Sequence, residues 1–356
     1  MRTDELDYDL PEDRIAQTPA EPRDSARLLV DRGPGADPED RVVRDLPSLV
    51  RPGDLVVLND TRVLPARVAI RRDGGGSGEV LLLEPLEDGW WQALCRPSRK
   101  LRQGATYAAA EGELRLEMGG DLDGGRRLVR PLHDGDLVDA LGRSGTAPLP
   151  PYISERLEDQ ERYQTVFSQR PASAAAPTAG LHLTPALLDQ ILAHGASLAR
   201  VELVVGLDTF RPITAARVED HDIHSEHYTV PEETWRAVER TRADGGRVVA
   251  VGTTSVRALE SAAATGERSG RTRLFITPGY EFSVVDVMMT NFHLPRSSLL
   301  AMIEAFVGER WRDLYATAAE RRYRFLSFGD AMLLQRRTDD ATAGPAGDPA
   351  RSTETP

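Results

Sequence analysis

RVVAVGTTSVRALESAAA, residues 247–264, reads as a buried strand that turns directly into a helix. Val248, Val249, Ala250 and Val251 make an unbroken apolar run bounded by glycines, as expected for a strand covered on both faces. The Gly252-Thr253-Thr254-Ser255 junction then opens the helix. A strand feeding a helix is the repeating unit of a parallel sheet, so this stretch sets the class as α/β. The hydroxyls and freed N–H groups at such a junction suit a carboxylate, a ribose or a phosphate. It is neither a Walker loop, since no Gly-Lys-Ser/Thr follows, nor a dinucleotide fingerprint, since GxGxxG is absent. A well-capped helix start explains the same residues without any ligand.

Working outward, AAPTAGLHLT (175–184) is a second junction of this kind. Thr184-Pro185 starts a helix carrying Leu187, Leu188, Ile191 and Leu192, which Gly195 stops. Residues 197–206 read as a strand, Pro231 starts a helix, and 296–308 is a helix with Leu299, Leu300, Ile303 and Phe306 on its buried side. Between them, RLFITPGYEFSVVDVMMTNFHLP (273–295) holds two strand-like runs, the second ending in Asn291 and His293. Upstream, Asp54 to Asn59 is a buried strand ending on Asn59-Asp60-Thr61-Arg62. Tyr323 to Asp330 is one more polar cluster. Several strand-end polar clusters in one domain predict a cleft at one edge of the sheet.

Composition shifts from about Arg67 to Asp139, where short strand-like runs alternate with glycine-rich turns. That spacing predicts a separate small β module. The expected layout is a large α/β domain at 1–66 and 150–335, an inserted module at 67–149, and a polar, disordered tail at 336–356.

The chain has 356 residues, 40% hydrophobic and 28% charged, with a net charge of −12. No apolar run approaches a membrane span and the acidic N-terminus is no secretory signal, so a cytoplasmic protein is expected. A single cysteine, Cys95, excludes an internal disulfide and a cysteine-based metal cluster. His221, His224 and His227 do not match the helical zinc spacing, and His221 and His224 on a strand face opposite ways, so no metal is expected there. Local positive charge sits in three groups: Arg62, Arg67, Arg71 and Arg72; Arg96, Arg99, Lys100 and Arg102; and Arg321, Arg322 and Arg324. Any of them can follow a phosphate backbone, and any can be an ordinary solvated face.

These stretches together closely resemble the S-adenosylmethionine:tRNA ribosyltransferase-isomerase family of queuosine biosynthesis. The matching segments are DYDLP, RPGDLVVLNDTRVLPAR, PLPPYI, ERYQTVFS, AAPTAGLHLT, HDIHSEHY, VAVGTTSVRALES, VVDVMMTNFHLPRSSLL and YRFLSFGDAM, in family order from residue 7 to about 334. The resemblance implies a mixed α+β chain: a large domain with a barrel-like mixed sheet and helices, and a small inserted β-barrel. It implies transfer and isomerisation of the ribosyl group of S-adenosylmethionine onto 7-aminomethyl-7-deazaguanine at the tRNA wobble position. Epoxyqueuosine forms, and adenine and methionine leave. No cofactor beyond the S-adenosylmethionine co-substrate is implied, and a monomer is expected.

Roles follow from that chemistry. The sulfonium acidifies its neighbouring ribose carbon, so a base is needed; His182 or His293 is expected to move the proton, with Asp60 beside them. Thr178, Ala179, Gly180, Gly252, Thr253, Thr254, Ser255 and Asn291 are expected to hold S-adenosylmethionine. Arg62, Arg67, Tyr323, Arg324 and Asp330 are expected on the acceptor side. The chain departs from the family at Gly145-Thr146-Ala147, where Gly-His-Met is usual, and at Val204 to Phe210, where Val204 and Asp208 replace a histidine and a glycine. Two alternatives therefore stand beside the tRNA enzyme: a paralogue using S-adenosylmethionine on a small-molecule acceptor, and a non-catalytic binding protein.

Overall fold

The structure, a computed structural model, describes residues 1–72, 75–206 and 212–337. Its spine is a nine-stranded mixed sheet. From one edge to the other the strands are Ser269–Thr272, Glu226–Thr229, Ser197–Leu203, Leu55–Asn59, Val248–Val251, Val287–Asn291, Ala331–Gln335, Arg27–Val30 and Glu39–Val42. The four strands from Ser197–Leu203 to Val287–Asn291 are parallel neighbours. Their carboxyl ends therefore open on one side, as the strand-end clusters predicted.

Alternation along the central strands sorts the core into two layers. Leu55 and Val57 pack with Val248 and Ala250 on one face, against the helices Thr253–Thr265 and Ser298–Val307. Val56 and Leu58 pack with Val249 and Val251 on the other, against Leu187 and Ile191 of the helix Pro185–Ala193. Both faces being covered is why these strands read as continuous apolar runs. At the closed end of the sheet, Arg247 donates to buried Asp54 (2.6 Å), tying the starts of two adjacent strands. Glu260, fully buried in the helix Thr253–Thr265, accepts the backbone N–H groups of Ser283, Val284 and Val285 at 2.8–3.0 Å. That carboxylate fixes the turn that leads into Val287–Asn291.

The glycine-punctuated region forms a closed six-stranded barrel. Its strands are Arg67–Arg71, Ser77–Pro85, Trp91–Arg96, Arg126–Leu132, Arg115–Asp121 and Thr106–Ala109, and the last pairs back onto the first through Ile70 and Ala109. It has its own core, from Leu64 to Leu141, which includes Cys95. The helix Leu137–Ser144 and a short pairing of Thr146 with Arg67 return the chain to the sheet.

Three local expectations change. Residues 273–277 are extended but carry no ladder, because the strand there is Ser269–Thr272 and stops one residue before the apolar run. The helix Trp311–Glu320 was not anticipated; Trp311, Leu314, Tyr315 and Ala318 bury its inner face. Leu192 is exposed, although it continues the apolar pattern of its helix. The tail expected at 336–356 lies outside the described residues from 338 onward.

Candidate active site

Two adjoining cavities lie at the carboxyl ends of the parallel strands and share Val205 as a wall. The narrower, about 60 Å³, is lined by Thr178 and Ala179, Gly252 to Thr254, Thr290, Asn291 and His293, with Ser297, Leu299, Tyr152 and Ser327 closing it. Thr290 and Asn291 end a strand, Gly252 to Thr254 turn from a strand into a helix, and Ser297 and Leu299 come from the start of the helix Ser298–Val307. Gly252 has φ +89°, and its N–H bonds Met289 across the sheet (2.8 Å), so the chain reverses into the helix without a side chain in the way. Gly252 at the N-cap has no side chain to cap that helix, whose N-terminus meets the cavity. Thr254 Oγ1 is buried there with no hydrogen-bond partner among the described residues.

Asn291 joins the walls of this cavity. Its Oδ1 accepts from Thr178 Oγ1 (3.0 Å), while its Nδ2 meets His182 Nε2 (3.2 Å) and donates to the Asp330 carbonyl (3.3 Å). With Nδ2 donating, His182 Nε2 is the acceptor, so the ring is neutral with its proton on Nδ1. Burial, then Arg324 and Arg23, pushes the His182 pKa down to about 4. Burial pushes His293 down to about 3; its Nε2 lies 3.0 Å from Thr290 Oγ1. Both imidazoles stay neutral at physiological pH and are weak bases, contrary to the expectation that a histidine here titrates near neutrality. His293 lines the cavity; His182 stands behind it and orients Asn291.

The predicted residues divide accordingly. Thr178, Ala179, Gly252, Thr253, Thr254, Asn291 and His293 come together on the narrow cavity. Gly180 and Ser255 do not: a Cβ on Gly180 would sit 2.9 Å from Phe167, and Ser255 Oγ donates back to Val251 O (2.7 Å) at the end of the preceding strand. Asp60 is half-buried, its pKa raised mainly by burial, and lies off both cavity linings. Arg62 is engaged with Glu161 and Ser168, and Arg67 with Glu79. Tyr323 is fully buried, donates to Asp40 and stacks beneath Arg27. Asp330 accepts the backbone N–H groups of Arg27 and Arg324, and Arg324 reaches back to it at 3.8 Å. The last five residues each have a protein partner and are absent from the linings of both cavities.

The wider cavity, about 890 Å³, lies between the sheet and the barrel. Leu83, Glu84, Gln92, Leu94 and Arg126 line it from the barrel. Val204 to Gly206, His221 to His227, Arg271 and Arg273 line it from the sheet. Glu226, 3% exposed, bonds His224 Nε2 (2.9 Å) and the Gly206 N–H (3.0 Å), and pairs with buried Arg257. Burial works to raise the Glu226 pKa, but the Arg257 charge and the bond to His224 outweigh it and hold the carboxyl below its ordinary value. His224 and Glu226 are two apart, hence on one face of an extended chain, and that spacing was the available signal for the pair. Arg257, one helical turn beyond Thr253, gave none. His221 stacks edge-on against Phe275 (5.6 Å). Of the two departures, Thr146 is exposed at the edge of the barrel and Val204 lies on the wide cavity; Asp208 falls outside the described residues.

Comparison with known proteins bears on this arrangement. A family model described as "Queuosine biosynthesis protein" matches residues 3–334. An S-adenosylmethionine:tRNA ribosyltransferase-isomerase of Rubrobacter xylanophilus is 53% identical over 335 residues, covering 94% of this chain and 98% of its own. One of Gloeobacter violaceus is 50% identical over 345 residues, covering 93% and 95%. The crystal structure of an S-adenosylmethionine tRNA ribosyltransferase from Thermotoga maritima is 38% identical, covers 92% of this chain and 99% of its own, and superposes with a TM-score of 0.54.

Proposed function

Since the chain belongs to the queuosine biosynthesis protein family, we propose that it transfers and isomerises the ribosyl group of S-adenosylmethionine onto 7-aminomethyl-7-deazaguanine in tRNA, releasing adenine and methionine. The observation that carries this reading is the convergence of Thr178, Gly252 to Thr254, Asn291 and His293 on one narrow cavity that adjoins a wide, charged one across Val205. A cavity of about 60 Å³ is small beside the several hundred ordinarily needed for a ligand of this size. The co-substrate therefore extends past Val205, with its reacting ribose near the junction and the acceptor base arriving through the wide cavity.

In this reading Thr254 Oγ1 and the open helix N-terminus take a polar end of S-adenosylmethionine, and Asn291 and His293 hydrogen-bond the adenosyl portion. Because burial makes His182 and His293 weak bases, removal of the ribose proton falls to His224, which Glu226 orients from behind as a carboxylate orients a catalytic imidazole. Asp60 and the five acceptor-side residues named from sequence are left with supporting roles. The unit acts as a monomer in the cytoplasm without a further cofactor, with 67–149 as an insertion between 1–66 and 150–335.

The test is adenine release from labelled S-adenosylmethionine, with and without tRNA carrying the precursor base. Release only with that tRNA is expected. Release without tRNA identifies a small-molecule acceptor instead, and S-adenosylmethionine bound but unconsumed identifies a binding protein. Within the active enzyme, His224→Ala is expected to lower kcat by at least about 100-fold, whereas His182→Ala is expected to act mainly on KM for S-adenosylmethionine through Asn291.

A further inference from the structure

The structure separates the three basic groups of the sequence by what their side chains touch. In the first, Arg62 and Arg67 pair with Glu161 and Glu79, and Arg71 and Arg72 donate to the carbonyls of Ala110 and Ser77. In the third, Arg321, Arg322 and Arg324 pair with Asp40, Asp13 and Asp330. The second is different. Arg96, Arg99, Lys100 and Arg102 are all exposed, and among the described residues none of their side chains has an ion pair or a hydrogen bond.

The segment that carries them is firmly held. Buried Arg127 bonds Asp121 (2.7 Å) on one side and the carbonyl of Leu101 on the other. Leu101 is itself buried, and the Arg102 N–H donates to Tyr107 Oη (3.1 Å). A fixed backbone that points four neighbouring unneutralised cations outward, on a chain of net charge −12, concentrates positive potential at one place on the barrel.

Its position relates it to the wide cavity. Gln92 and Leu94 line that cavity from the strand Trp91–Arg96. Arg96 is the next residue on the same strand face, about 7 Å further along. Arg126, which also lines the cavity, lies directly opposite Leu94 on the neighbouring strand. Positive groups therefore run from the cavity wall out along the barrel to Arg102.

The geometry points to Arg96–Arg102 as a docking strip for the phosphate backbone of the acceptor RNA, following the strand as it leaves the cavity. This rests on the tRNA reading above and adds to it a place on the barrel where the RNA is gripped away from the reacting base. Phosphates contacted by flexible cations confer affinity without sequence preference, so the strip holds and orients the RNA while the cavity selects the base.

The experiment compares the wild type with the triple variant Arg99→Ala, Lys100→Ala, Arg102→Ala, and with a control, Arg236→Ala, Arg240→Ala, from the exposed face of the helix Glu232–Ala243. Binding of the unmodified tRNA transcript is followed across about 50–200 mM salt. The triple variant is expected to reduce the slope of log affinity against log salt by about two to three and to weaken binding roughly tenfold or more at physiological salt. S-adenosylmethionine binding stays unchanged, and the control keeps the wild-type slope. A triple variant with wild-type slope and affinity overturns the strip. A control that loses as much slope as the triple variant also overturns it, since the effect is then net charge alone. Adenine release by the wild type is scored separately. If that activity needs no tRNA while the triple variant still loses RNA binding, the reading of the function falls and the strip stands. If activity is tRNA-dependent and the triple variant binds normally, the reverse holds.

Discussion

The two cavities are built from different materials. The narrow one is walled by neutral groups, Thr178, Thr254, Thr290, Asn291 and the neutral His293, all from the large domain. The wide one is walled by Glu84, Arg126, His224, Glu226, Arg271 and Arg273, drawn from both the sheet and the barrel. Neutral hydrogen-bonding groups can be stripped of water at modest cost and hold a small ligand tightly. Charges lose much more on desolvation, so Glu84, Arg126, Arg271 and Arg273 keep access to solvent while buried Glu226 is neutralised by Arg257. That contrast is what a buried co-substrate site beside an open acceptor site requires.

The contrast breaks most sharply at Glu226. Glu226→Ala leaves Arg257 buried without its counter-charge, and unfolding in urea is expected to show a loss of about 3–5 kcal/mol. Thr254→Val in the narrow cavity, which removes a hydroxyl without a protein partner, is expected to leave stability nearly unchanged while weakening S-adenosylmethionine binding. Equal losses from the two changes would erase the distinction.

A pH-dependent effect follows from the neutral histidines. The unfolded chain takes up a proton on each near pH 6.5, whereas in the fold His182 resists until about pH 4 and His293 until about 3. The unfolded state thus binds more protons throughout that interval, and stability rises with pH across it. It is whole above about 6.5 and is lost as the pH falls toward 4, by up to about 3 kcal/mol from His182 at 1.36 kcal/mol for each pH unit. His182→Asn is expected to flatten this slope in denaturation profiles, and an unchanged profile counts against a buried, neutral His182.

Asn291→Ala is expected to weaken S-adenosylmethionine binding by about 2 kcal/mol, some 30-fold, because it removes a group that both contacts the cavity and aligns Thr178; tRNA affinity should not move. Smallest is Arg273→Ala. Its pair with Asp222 is exposed on both sides, so stability should shift by less than about 0.5 kcal/mol.

Much of this was legible in the chain because the chemistry is local. Gly252-Thr253-Thr254 announces a strand-to-helix reversal, and the alternation-free run Val248 to Val251 announces burial on both faces; each depends only on neighbours in sequence. The barrel was legible for the same reason, since its turns are written in glycine. What stayed hidden depends on distant partners. Tyr323, Arg324 and Asp330 look like a ligand-binding cluster in one dimension, yet Asp40, the Thr18 carbonyl and the Arg27 N–H, some 300 residues away, bond them in turn. Arg62 is neutralised by Glu161 in the same way. The value of Glu226 appears only when the helix Thr253–Thr265 brings Arg257 beside it.

The most direct measurement is a crystal structure with S-adenosylmethionine bound. The account predicts density that begins in the narrow cavity, with polar contacts to Thr254, Asn291 and His293, and passes Val205 to place the ribose within reach of His224. S-adenosylmethionine lying wholly among Arg126, Arg271 and Arg273, with the narrow cavity empty, would contradict it.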